Sequence, residues 1–353
     1  MTTDTHRRDF LSLAAASGAG LALSGLSAQA FAASPATSSA TSSAASPLPS
    51  SAGRSAFGPL RQIDAGPLNI GYIDIGPRDG TPVLLFHGWP YDIHGYEDVA
   101  PILAARGFRV IVPHLRGYGT TRFLSAATPR SAQQTALAAD GLALMDALGI
   151  RKAIFAGCDW GARNACVMAA LWPERCQALV SVSGFLVLDP SSALKPLSPA
   201  DEFSWWYQYY FATERGRIGY EKNLKAFAKF IWRQASPKWN FDDATFDRCA
   251  ESLVNPDHVA LVVHNYRLRI GAAEPDPQYA ALEARLAKVQ TVGMPTITLE
   301  GDANGAPHPP AAAYKSRFTG KYEHRELTGG IGHNLPQEAP VDFAKAVIDV
   351  AQW

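Results

Sequence analysis

The stretch Gly157-Cys158-Asp159-Trp160-Gly161 constrains this chain more than any other. The run Lys152 to Ala156 before it reads as a short buried strand. Ala162 to Trp172 after it is rich in helix formers and is stopped by Pro173. Glycines on both sides of an acid, between strand and helix, let the chain turn tightly enough to lift the central side chain clear of a sheet edge. Serine is the usual occupant of such a turn. Aspartate is already ionised at neutral pH and needs no base to activate it. In that place a carboxylate can displace a leaving group at an sp³ carbon and become an alkyl ester. Water must then cleave the ester, with a general base and an oxyanion site to help it. Asp also caps helices well, so the motif draws its weight from partners elsewhere in the chain.

Those partners sit at the ends of further predicted strands. Leu68 to Ile75 alternates as an antiparallel edge strand would, and Pro82 to Phe86 is a continuous apolar strand running into His87-Gly88-Trp89-Pro90. A glycine-bearing loop there can offer the Trp89 backbone N–H to an oxyanion, with a second from Trp160. Phe108 to Pro113 and Ala178 to Gly184 read as strands, and Gln133 to Leu148 as a helix. Pro295 to Leu299 leads to Glu300-Gly301-Asp302, and Tyr322 to Leu327 leads to Gly332-His333. This alternation is that of an α/β fold with a mostly parallel, doubly wound sheet. Nucleophile Asp159, acid Asp302 and base His333 follow the chain order of an α/β-hydrolase triad. Asp189 is the alternative acid.

From Pro190 to about Leu286 the chain turns helical and aromatic, including Trp205-Trp206-Tyr207-Gln208-Tyr209-Tyr210-Phe211. An insertion of this kind between sheet strands reads as a lid over an apolar pocket, most of its aromatics packing its own core. The expected organisation is a core over 57–189 and 287–353 and a lid over 190–286. Arg7-Arg8-Asp9-Phe10-Leu11 and the weakly apolar stretch after it fit a twin-arginine signal peptide over 1–33, which predicts a periplasmic or secreted protein. A Ser/Ala/Pro-rich linker over 34–56 follows. Basic and acidic residues balance at 32 each, which points away from nucleic acid or an anionic membrane as partner. Cys158, Cys166, Cys176 and Cys249 have neither metal-site nor disulfide spacing and read as buried thiols. No cofactor or metal is expected.

Together, His87-Gly88-Trp89-Pro90, Asp159-Trp160-Gly161, Asp302 and Gly332-His333 resemble the α/β-hydrolase-fold epoxide hydrolases and the neighbouring haloalkane dehalogenases, over roughly residues 57–353. The resemblance implies two lid tyrosines that hold and protonate an epoxide oxygen. Tyr207 matches the first, with Tyr209 and Tyr210 as rivals, and Tyr266 the second. His87, Trp89, Trp160, Trp206 and Tyr210 are expected to line a small apolar epoxide-type substrate, in a monomer or homodimer. Opening it would give a vicinal diol. The runner-up is a haloalkane or haloacid dehalogenase using the same Asp159 and His333; a third reading is a non-catalytic ligand-binding member of the fold. Two positions depart from the pattern. Cys158 stands where histidine is usual, and Trp89 where dehalogenases commonly carry a halide-binding asparagine. The segment Asn304 to Pro310 has no explanation at this level.

Overall fold

The computed structural model describes residues 57–353, so the expected signal peptide and linker lie outside the described residues. Among these residues one sheet contains nine strands: β1 (Arg61–Ala65), β2 (Leu68–Ile75), β3 (Thr81–Phe86), β4 (Phe108–Pro113), β5 (Arg122–Phe123), β6 (Ala153–Gly157), β7 (Cys176–Val182), β8 (Thr296–Gly301) and β9 (Tyr322–Leu327). Their order is β1-β2-β4-β3-β6-β7-β8-β9, with β5 against β2. From β4 to β9 every pair is parallel, while β1, β2 and β5 are antiparallel.

β2 is not the edge strand its alternation predicts. Gly66, with φ 55°, and Pro67 make a two-residue turn that sets Ala65 opposite Leu68 and lays β1 outside β2. β1 carries mostly exposed polar residues, the composition an edge strand needs to resist further pairing, and so gives no apolar signal.

The core helices before the insertion are α1 (Val99–Ala104), α2 (Gln134–Ala147) and α3 (Trp160–Leu171). The insertion contains α4 (Pro199–Ser204), α5 (Trp206–Ala212), α6 (Glu214–Lys222), α7 (Leu224–Ala235), α8 (Asp243–Ala250) and α9 (His258–Arg269). After it come α10 (Ala280–Leu286), α11 (Ala311–Tyr314), α12 (Leu335–Glu338) and α13 (Pro340–Ala351). Along β3, Leu84 and Phe86 face one core with residues of α2 and α3, while Val83 and Leu85 face another with α1 and α13. Cover on both faces is why the central strands are apolar at every position.

No described strand lies between β7 and β8, and the helices there rest on the strand ends. Trp89 packs against Tyr207 and Tyr266, and the Trp232 indole donates to the Pro90 carbonyl. α10, expected within the lid, returns instead to the core: Arg285 bonds the Leu171 carbonyl and Glu283 accepts from Thr135 Oγ1 at 2.6 Å. Among the described residues no helix is long and apolar enough to cross a membrane.

Candidate active site

Asp159 sits between β6 and α3 at φ 55° and ψ −120°, a conformation that costs a non-glycine residue about 1–3 kcal/mol. The flanking glycines make that turn sterically feasible. A Cβ on Gly161 would lie 1.8 Å from the Phe86 carbonyl oxygen, and one on Gly88 2.4 Å from Asp159 Cβ. The chain therefore brings the His87-Gly88-Trp89 loop directly against the carboxylate. Trp89 N donates to Asp159 Oδ1 at 2.8 Å, and the Trp160 N–H also reaches this carboxylate. Oδ2 faces His333 Nε2 at 3.6 Å, in ion-pair range.

Burial pushes the Asp159 carboxyl upward, but His333 beside it, the Arg163 charge and the Trp160 N–H outweigh burial and hold it below its ordinary value. His333 answers in the opposite sense. Burial lowers its pKa, yet contact with Asp159 and the charges of Asp159, Glu300 and Glu338 leave it raised. Ion pairing thus overcomes desolvation at both partners.

The loop carrying His333 is fixed by its backbone. His333 N donates to Ser236 Oγ at 2.9 Å, and Gly332 N and Asn334 N donate to Glu338 at 2.7 and 3.0 Å. The ring itself is held by Asn304: His333 Nδ1 lies 3.2 Å from Asn304 Oδ1, while Asn304 Nδ2 donates to Glu300 Oε1 at 2.8 Å. Only the amide nitrogen can donate to that carboxylate, which assigns the oxygen to face His333. His333 Nδ1 therefore keeps its proton in either charge state, and Nε2, protonated while the ring is paired with ionised Asp159, is the nitrogen left bare when the ring is neutral.

Asp302, expected as the triad acid, does not touch His333. It is exposed and accepts from Gly329 N, Gly330 N and Ile331 N at 3.0, 2.8 and 2.9 Å. Desolvation raises its carboxyl, and these amides together with the Lys238 charge more than offset it, holding it below the usual range. Its place is to brace the loop after β9. The physical reason is strand length: β8 runs to Gly301, two residues beyond the predicted end, so the residue turning into the site is Asn304. Asp189 is elsewhere as well, exposed and capping Ser191 N.

Tyr207 and Tyr266 converge from α5 and α9, their rings 5.1 Å apart at 85° and their hydroxyls neighbouring one another. Trp160 Nε1 lies 3.3 Å from the Tyr266 hydroxyl. Burial pushes both phenols well up, so both remain protonated donors near the Asp159 charge. The Trp89 indole donates to Tyr220 OH at 2.8 Å, and Tyr220 lies 2.8 Å from His258 Nε2. His258 Nδ1 meets the Gly117 carbonyl at 2.9 Å, and burial draws its pKa down to about 4, so the ring is neutral.

The other expected lining residues are placed differently. Both His87 nitrogens are engaged, Nδ1 with Gly88 O at 3.0 Å and Nε2 with Leu115 N at 3.2 Å, so it braces its loop. Trp206 donates to Gln234 at 3.1 Å and packs against Phe227, and Tyr210 stacks on Phe227, both in the insertion's own core. Tyr209 is exposed and bonded to Glu202. Cys158 is buried, donating to the His333 carbonyl at 3.2 Å, and all four cysteines are free. Among the described residues no group of three or more His, Cys, Asp or Glu side chains is arranged to hold a metal ion. Tyr220 and His258 escaped the sequence reading, since nothing in spacing or periodicity marks them, and Asn304 stood in it only as the first residue of the unexplained segment that runs to Pro310.

The strained Asp turn, the neighbouring amide loop and the inserted helices define an α/β-hydrolase-fold protein. That family's model matches residues 81–219. A crystal structure from Klebsiella pneumoniae subsp. pneumoniae MGH 78578, provisionally named an epoxide hydrolase, is 60% identical, covering 85% of this chain and 99% of that one, with a TM-score of 0.84. Epoxide hydrolase B of Mycobacterium tuberculosis is 32% identical over 154 residues, 40% of this chain and 42% of that protein, so the match spans less than half of this curated relative. A haloalkane dehalogenase of Psychrobacter cryohalolentis is 52% identical over 52 residues, 15% of this chain and 17% of that protein. The chain belongs to the α/β-hydrolase fold family, among relatives named epoxide hydrolases.

Proposed function

We propose that this protein opens an epoxide to a vicinal diol through an ester on Asp159. The observation that carries the reading is the division of labour at that carboxylate: Oδ1 lies against the Trp89 N–H at 2.8 Å, while Oδ2 is left toward His333 at 3.6 Å, near two protonated phenols. Oδ2 attacks the less hindered ring carbon as the C–O bond breaks. Tyr207 and Tyr266 donate to the departing oxygen, which strained-ring opening requires. Alkylation removes the Asp159 charge, the chief influence raising His333. The imidazole then favours its neutral form and becomes a base at the stage where one is needed. His333, oriented by Asn304, takes a proton from water as it attacks Asp159 Cγ, and the Trp89 and Trp160 amides hold the oxyanion on Oδ1. Collapse of that intermediate breaks the Cγ–Oδ2 bond; the diol leaves carrying Oδ2, which receives the proton from His333, and the proton released as Asp159 returns to its carboxylate restores the lid phenol.

The arrangement argues against a dehalogenase. The indole N–H groups of Trp89 and Trp160, the natural halide donors here, face the hydroxyls of Tyr220 and Tyr266 at 2.8 and 3.3 Å. Single turnover of an aryl epoxide in H₂¹⁸O tests the reading. The first diol should carry unlabelled oxygen derived from Asp159, with label appearing in the enzyme. Label in the first diol would mean direct attack by water, and bromide release from a bromoalkane without epoxide turnover would select the dehalogenase.

A further inference from the structure

Arg163 is a buried cation that the mechanism above does not use. It lies one turn into α3, its N–H bonded to the Asp159 carbonyl at 3.0 Å, which places it on the nucleophile's side of the helix. Its side chain is 7% exposed, its Nε has no partner, and among the described residues no hydrogen bond or ion pair engages its guanidinium. Arg116, more deeply buried still, shows what a buried arginine ordinarily has: both oxygens of Asp140, at 2.6 and 2.7 Å. The charges and phenols around Arg163 are Asp159, Tyr207, Tyr266 and a second cation, Arg269. Arg269, half-buried, lies over the Trp205 and Tyr266 rings at 4.8 and 5.8 Å and likewise has no carboxylate among the described residues.

We infer that Arg163, backed by Arg269, is an anion-binding position within the active site, and that the substrate is an epoxide bearing a carboxylate close to the ring, a glycidic acid. The buried guanidinium presents a planar donor fork suited to both oxygens of a carboxylate. Burial and the repulsion of Arg269 together pull the Arg163 pKa down to about 10, and Asp159 offsets them only in part. Even that offset disappears when Asp159 becomes an ester. A substrate carboxylate supplies the missing charge before attack and keeps supplying it in the intermediate. The expected apolar substrate therefore becomes an apolar body with an acidic end. The claim about substrate class rests on the epoxide-opening reading, whereas the claim about anion binding does not.

The test separates the two. Phenylacetate and its neutral isostere phenylacetamide are titrated into the intact protein by calorimetry, and 3-phenylglycidate and 3-phenylglycidamide are compared as substrates. The carboxylate should bind at least about tenfold tighter than the amide, and the glycidate should exceed the glycidamide in kcat/KM by a similar factor. Arg163→Gln should bring both ratios to within about threefold of unity, with Arg163→Lys between. A residue that only holds the helix or tunes Asp159 would change both members of each pair together. Equal binding of phenylacetate and phenylacetamide by the unmodified protein overturns the inference without needing any variant to fold, as does an undiminished preference in Arg163→Gln. A carboxylate preference with neither epoxide opened would keep the anion site and overturn the epoxide reading.

Discussion

Replacing Asn304 by Leu isolates the residue that orients the base. His333 Nδ1 lies 3.2 Å from Asn304 Oδ1, and this contact becomes charge-assisted once the ring has taken a proton from the attacking water. A hydrogen bond to a charged group contributes about 1.5–3 kcal/mol. At 1.36 kcal/mol per factor of ten, hydrolysis of the Asp159 ester should slow by roughly 10- to 150-fold. Formation of the ester does not require His333 as a base and should change by no more than about threefold. Rapid-quench sampling with intact-mass detection resolves the two phases, and the ester should accumulate in the variant. Asp302→Asn is the control: an exposed carboxylate bonded to the amides of Gly329, Gly330 and Ile331 braces a loop, and its loss should leave ester hydrolysis within about threefold. If Asp302→Asn slows hydrolysis while Asn304→Leu does not, the orientation of His333 by Asn304 is refuted.

The pH dependence should differ between the two steps. Alkylation needs only ionised Asp159, whose pKa is held low, so its rate should stay flat from about pH 5 to 8. Hydrolysis needs neutral His333, and its midpoint should lie below the His333 pKa measured by NMR in the free enzyme, because alkylation removes the Asp159 charge. The same pair links stability to pH. The raised His333 contributes stability below about pH 6.5 that is lost as pH rises through its folded value. The lowered Asp159 contributes above about pH 4 and loses it as pH falls through its own. Changing both Tyr207 and Tyr266 to Phe should slow alkylation of an epoxide by about 10²- to 10⁴-fold in stopped-flow measurements. Arg116→Leu strands the buried Asp140 carboxyl and should cost about 3–5 kcal/mol in urea unfolding, most of it recovered by replacing Asp140 with Leu as well.

What the sequence made legible is what periodicity and turn chemistry encode. The elbow strand to within one residue of its end, the end of β9 at Leu327, the elbow glycines and the convergence of Asp159 with His333 follow from apolar runs that meet glycine turns. β1 was hidden because an exposed edge strand needs no apolar pattern. Asn304 was hidden because chain order identifies an acid, not an amide, and because two further strand residues decide which side chain turns inward. Glu300 supplies the charge one step removed, through Asn304 Nδ2 at 2.8 Å, an arrangement visible only once the loop is folded. The linked Trp89, Tyr220 and His258 join residues far apart in the chain, with nothing local to announce them.

The covalent route is tested most directly by the intact mass of a His333→Gln variant after incubation with an aryl epoxide. Without the base that activates water, the ester on Asp159 should persist, and the protein should gain the whole mass of the epoxide, on a peptide containing Asp159. No adduct on Asp159, with diol still released by the variant, would contradict it.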